Sequence, residues 1–151
     1  MFDKLLPRSI DNTYRGHTAA LWLFGLVVVV RITQSVLVIF NGHMTAVNAD
    51  GIPLETFTPV AAQTALALFA QGSLWRLTVG VVCVVVLARY RSAVSSMFVL
   101  LALNYLASQL IFQFDPLPRV GAPPGPILNL TLFALTIVGL MLSLRGGRAQ
   151  S

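Results

Sequence analysis

An all-α, integral membrane protein folded as an antiparallel four-helix bundle is what this sequence predicts, on three observations. Of 151 residues, 56% are hydrophobic and only 10% charged, and the mean hydropathy is +0.81. A soluble domain covers its surface with about a quarter charged residues, so lipid must be part of this chain's solvent. Four apolar stretches, at about 18–40, 72–90, 92–114 and 126–144, match the roughly 20 residues that a membrane-crossing helix needs. The ten Lys and Arg residues fall singly, mostly at the ends of those stretches. The whole chain, 1–151, reads as one transmembrane domain.

Taken in order, "MFDKLL" before Pro7 predicts a short interfacial helix with Phe2, Leu5 and Leu6 toward lipid. The first span, 18–40, is longer than a signal-peptide core, and no A-x-A cleavage site follows it. It reads as an uncleaved first helix. The next loop contains "NADGIPLETFTP", with a turn signal at Asp50-Gly51 and then Pro53. Its length and its acids, Asp50 and Glu55, make it the expected place for contacts outside the membrane.

Thr58 followed by Pro59 is a helix N-cap and first-turn pair, and "VAAQTALALFAQ" after it is helix-compatible throughout. The second span therefore begins either near Pro59, as one long tilted helix, or at Gly72 after a short interfacial helix. Arg89-Tyr90-Arg91 is short enough to make the second and third spans neighbours. Five prolines in "DPLPRVGAPPGP" predict a stiff, extended lid before the fourth span.

Cation placement predicts direction. Lys4, Arg8, Arg15, Arg89, Arg91, Arg145 and Arg148 fall on one side. Arg119 falls on the other, with Arg76 near it and with Asp50, Glu55 and Asp115. The excess of positive charge on cytoplasmic loops then places both termini in the cytoplasm of a bacterial inner (plasma) membrane, in a multi-pass arrangement.

Several functions are disfavoured by what the chain carries. The net charge of +5 and pI near 10.4 would suit a nucleic-acid binder only if the cations formed one basic face, and they are scattered. Cys83 is the only cysteine, so neither an internal disulfide nor a CxxC pair can form. His17 and His43 bracket the first span, about 39 Å apart along a helix axis, too far to share a metal. No nucleophile elbow, phosphate loop, metal-ligand spacing or carboxylate pair occurs. The expectation is no catalytic residue, no metal site and no cofactor of its own. No acid lies deep in any span, and arginine holds its proton in the working pH range, so a proton-coupled pump is disfavoured as well.

The candidate site is polar and intramembrane. Arg31 lies thirteen residues into the first span, roughly 20 Å deep, where an arginine costs about 2.5–3.5 kcal/mol to insert. Gln34 and Ser35 follow at i+3 and i+4 on the same face. The third span has its own stripe, Asn104 with Ser108 and Tyr105 with Gln109 and Gln113. The fourth places Asn129, Thr136 and Ser143 seven residues apart. Turning all three stripes inward would let Arg31 donate to Gln109 or Asn104. Arg31 is then either a structural, amide-satisfied residue or the binder of an acid on a partner helix, a lipid headgroup or a quinone-type carbonyl. Arg76, after Trp75, reads as an interfacial anchor. If the second span begins near Pro59, Arg76 is instead submerged close to Arg31, and the pair would make an anion site.

An arginine in the first span followed about ten residues later by "NGH" (Asn41, Gly42, His43), and then "LTVGVVCVVVLARYR", resembles the DoxX-like family of small four-helix bacterial membrane proteins. The likeness covers the first three spans. Arg31 sits deeper than that family's arginine, and His43 stands where the family has a basic residue. The resemblance implies a membrane subunit or partner of redox enzymes, in some members linked to quinones.

The expected function is a non-catalytic accessory or interaction subunit of a membrane complex, with the lipid bilayer and a protein partner or second copy as its contacts. The alternative is a small homo-oligomeric transporter or anion- or lipid-binding membrane protein. A quinone-linked redox component that borrows its cofactor ligands is the third reading. The residues that would carry binding are Arg31, Gln34, Arg76, Asn104, Ser108 and Gln109.

Overall fold

Thr58 decides how the second span begins. Its backbone is extended (φ −63°, ψ 152°), its hydroxyl oxygen accepts from the Ala61 N–H at 3.3 Å, and Pro59 opens the helix behind it. One uninterrupted helix follows. The computed structural model describes residues 11–14 and 16–145, which are helical with no β-strand among them. Four long helices make up the fold: α1 (Thr18–Phe40), α2 (Pro59–Arg89), α3 (Val94–Phe114) and α4 (Pro124–Leu144). All four are long and apolar enough to cross a membrane. The expected interfacial helix at the start of the chain, and the cations Lys4, Arg8, Arg15 and Arg148, lie outside the described residues.

At 31 residues, α2 is about 46 Å long, well over the roughly 30 Å of a hydrocarbon core. α1 starts on His17, whose Nδ1 accepts from the Ala19 N–H at 3.2 Å, which gives this histidine a capping role.

α1 is the central element, packing along α2 on one side and against α4 on another, while α3 packs on α4. The three-residue link 89–91 does not make α2 and α3 close neighbours; they touch little, and so do α1 and α3. The reason lies just after the link. A 3-10 turn at Arg91–Ala93 redirects the chain. Ser92 is held by Asp11, donating its hydroxyl to the Asp11 carbonyl at 2.9 Å and accepting from the Asp11 N–H at 3.0 Å. α3 thereby starts beside the end of α4, where Ser95 and Ser143 hydrogen-bond through their buried hydroxyls. The His17 N–H donates to the Leu142 carbonyl at 3.3 Å and brings the start of α1 to the same place. This can be called the basic end, since Arg89, Arg91 and Arg145 lie there.

The core is displaced toward the basic end. Ala20, Phe24, Val27 and Val28 of α1 meet Cys83, Val86, Val94, Phe98, Leu101 and Leu132. Phe24 and Phe98 meet edge-to-face, ring centroids 5.0 Å apart, a geometry worth about 0.5–1.5 kcal/mol beyond the area it buries. Between helices in lipid such close packing does the work that water exclusion does in a soluble core. Toward the opposite, loop end the packing thins: α3 has no buried residue after Ala102.

At the loop end, Asp50-Gly51 makes the expected turn, with Gly51 at φ 69°, a left-handed conformation that glycine tolerates. The Gly51 carbonyl accepts from the Val120 N–H at 2.8 Å. Gly125, in the first turn of α4, sits so close to the Ala49 carbonyl oxygen and Asp50 Oδ1 that a β-carbon would lie 2.6 Å from each. The first loop is thus docked on the start of α4. The proline-rich link has no regular structure and is almost wholly exposed.

Candidate functional site

The buried residues of α1 advance in steps of three and four, through Ala20, Phe24, Val27, Ser35 and Val38. Arg31 fills the gap in that series, four residues after Val27 and four before Ser35. It is half-buried, and its Nε is fully covered with no hydrogen-bond partner. Ser35 does not supply one; its hydroxyl donates back to the carbonyl of Arg31 at 2.9 Å. Gln34 is half-buried beside them.

α2 carries a matching series, Ser73, Gly80, Cys83 and Val86. Arg76 stands three residues after Ser73 and four before Gly80, on the same stripe, yet it is exposed. Ser73 is 0% exposed and its hydroxyl has no partner. The pairing of the two helices sets their levels: a β-carbon on Gly25 would meet Leu87 at 3.5 Å, one on Gly80 would meet Ile32 at 2.7 Å, and one on Gly42 would meet Leu66 at 3.8 Å. Interpolated, Arg76 lies level with Gln34 and Ser35, about one helical turn from Arg31 toward the loop end. The two cations are within electrostatic reach of each other, and Cys83 is the other titratable group near Arg31. Cys83 itself is buried and free, packed as a small apolar residue.

The acid that Arg76 influences is Asp50, in the loop-end turn. Burial pushes the Asp50 carboxyl above its ordinary 3.8, and the charges of Arg76 and Arg119 pull the other way without overcoming it. Arg119 also lies over the ring of Phe112, 5.7 Å from its centre. Among the described residues no cluster of three His, Cys, Asp or Glu is placed to hold a metal.

α3 departs from the expected arrangement. Positions 94, 98, 101, 105, 108 and 112 face its neighbours, with Tyr105 stacked on Phe133 at 4.4 Å between centroids. Asn104, Gln109 and Gln113 are exposed. Ser108 is half-buried, and its hydroxyl donates to the Asn104 carbonyl at 2.9 Å. Arg31 therefore does not donate to Gln109 or Asn104: with α4 and not α3 beside α1, the two stripes are not brought together. Gln109 and Gln113 instead line a shallow groove with Leu103, Leu106, Ala107 and Leu110.

The α4 stripe does turn inward. Thr136 and Ser143 are buried and Asn129 is half-buried. The structure thus joins Arg31, Gln34 and Arg76 and leaves Asn104, Ser108 and Gln109 elsewhere. Ser73 enters the neighbourhood without having been singled out from sequence, and Asp50, expected from sequence at a place for outside contacts, comes under the charge of Arg76. The one available signal for Ser73 was its place three residues before Arg76 on a helix face.

No protein family, curated protein or solved structure matches this chain. What the site does has to be argued from its own geometry.

Proposed function

We propose that this is an integral membrane protein, four antiparallel helices with both termini in the cytoplasm, acting as a non-catalytic accessory or interaction subunit of a membrane complex. The observation that carries the reading is the pair of amides on the outward face of α3, with Gln109 and Gln113 exposed one turn apart on a helix apolar enough to cross a membrane. An amide left without a partner in an apolar medium costs on the order of 2–7 kcal/mol. Interhelical hydrogen bonds in membranes return about 0.6–2 kcal/mol each. A pair of amides one turn apart is therefore sustained by another polar helix surface far better than by acyl chains. Ala107 and the shallow groove around it allow a second helix to approach closely.

Other features support the topology. The basic end, with Arg89, Arg91 and Arg145, suits the cytoplasmic side of a bacterial inner membrane. The resemblance of the first three spans to DoxX-like proteins points to the same accessory role, with a redox or quinone-linked enzyme as the kind of partner.

The test is extraction in mild detergent followed by sizing and mass spectrometry, with a photo-crosslinker at Leu106 or Leu110. The expected result is a complex larger than the chain, crosslinked through α3. A lone monodisperse monomer with no α3 crosslink in native membranes overturns the reading.

A further inference from the structure

We infer that Arg31, Arg76 and Ser73 form a site for the phosphate of a membrane phospholipid, entered from the loop-end leaflet alongside α2. The inference rests on membrane insertion but not on the α3 interface. Two cations stand on facing helices about one turn apart, and neither α1 nor α2 carries an Asp or Glu. Like charges within electrostatic reach of each other repel; Asp50 at the loop end offsets part of the charge of Arg76, and an anion between or above the two cations would relieve the rest. Two buried polar groups also lack partners there: the Nε of Arg31 and the hydroxyl of Ser73. Both can donate, and a guanidinium binds phosphate oxygens with charge-assisted bonds.

The levels suit a lipid. By the helix pairing, Arg31 lies about 13 Å below the loop end of α1, Arg76 about 8 Å and Ser73 about 4 Å, at 1.5 Å per residue. The donors climb toward the interface where phospholipid phosphates lie, and the long Arg76 side chain can reach up to it. Next to Arg76 in the chain, Trp75 is 69% exposed, an apolar flank for acyl chains. A small hydrated anion would have no use for such a flank.

The experiment is native mass spectrometry of the protein released from nanodiscs containing phosphatidylglycerol, with parallel samples in lipid-free detergent given inorganic phosphate. The wild-type protein should retain phospholipid. Arg31→Gln with Arg76→Gln should lower the retained fraction at least tenfold, and Arg31→Lys should keep most of it. Thermal unfolding checks that the variants are folded; should the double variant fail, exposed Arg76→Gln alone should still lower retention severalfold. Equal retention by wild type and variants overturns the site. Inorganic phosphate binding in the absence of lipid, and displacing lipid at millimolar concentration, overturns its assignment to a lipid. Finding no lipid, and instead a co-purifying protein lost in the Arg31→Gln variant, overturns it in favour of a partner's carboxylate. Loss of a complex through α3 substitutions leaves this readout unchanged, so the two proposals fail separately.

Discussion

The ring of Phe98 occupies the space in which a β-carbon on Gly139 would have to sit, with Cε1 2.6 Å from that position. The contact joins α3 to α4 inside the cluster that also holds Phe24. Because the obstructing atoms belong to a buried aromatic ring, they cannot swing aside cheaply. Gly139→Ala should therefore destabilise the protein by about 1–3 kcal/mol, the range for overpacked cores. Gly72→Ala is the control: nothing lies within 4 Å of its would-be β-carbon. That change should be neutral or gain up to about 1 kcal/mol from helix propensity. Unfolding in detergent followed by circular dichroism reads both, and equal effects at the two glycines would sink the packing argument.

The α3 face gives a second prediction. If Gln109 and Gln113 are matched by another helix, Gln109→Leu with Gln113→Leu should weaken the assembly without unfolding the chain. Facing lipid alone, the same pair should only gain stability. Sizing in mild detergent, beside an unfolding curve, separates these outcomes. A shift to smaller species is expected.

How much of this was legible in the sequence depends on what helical periodicity encodes. It gave the bounds of α1 and the cap at Thr58-Pro59, because lengths and caps are local properties. It also placed Thr136 and Ser143 on the inner face of α4, where a seven-residue repeat leaves one choice. It did not give the neighbour of each helix. α3 carries large apolar residues on opposite sides, with Leu103, Leu106 and Leu110 facing outward as Phe98 and Leu101 face in, so its rotation was undetermined. The Gly139 slot for Phe98 and the hold of Asp11 on Ser92 decide that rotation, and both are long-range. For the same reason the pairing of Arg31 with Gln109 or Asn104 fails, since the fold places those amides elsewhere, and Ser73 had only its spacing from Arg76 to mark it.

Asp50 yields a pH dependence. Its folded-state carboxyl titrates above the ordinary 3.8, with burial as the main cause. The folded protein then binds this proton more tightly than the unfolded chain. The associated stability is fully present below about pH 4 and is lost as pH rises through the folded-state value. Asp50→Asn removes the burial cost of the ionised form, so it should be at least as stable as wild type at pH 7, with the advantage shrinking toward pH 4. Arg76→Gln should move the wild-type transition to higher pH, since Arg76 holds the carboxyl down. Thermal melts between pH 4 and 8 measure both; a wild type that loses stability relative to Asp50→Asn on acidification would contradict the sign.

The last prediction concerns what Arg31 costs the isolated chain. A covered guanidinium nitrogen without a partner forfeits about 1–3 kcal/mol relative to a satisfied one, and the nearby charge of Arg76 adds repulsion. Arg31→Met keeps much of the length and removes both penalties. In detergent without anionic lipid the variant should therefore melt higher than wild type. Adding phosphatidylglycerol should stabilise wild type more than the variant and narrow or reverse the gap, because only wild type has the full set of donors. An arginine that merely braced the bundle would give the opposite pattern: Arg31→Met would melt lower in every detergent, and lipid would not change the difference.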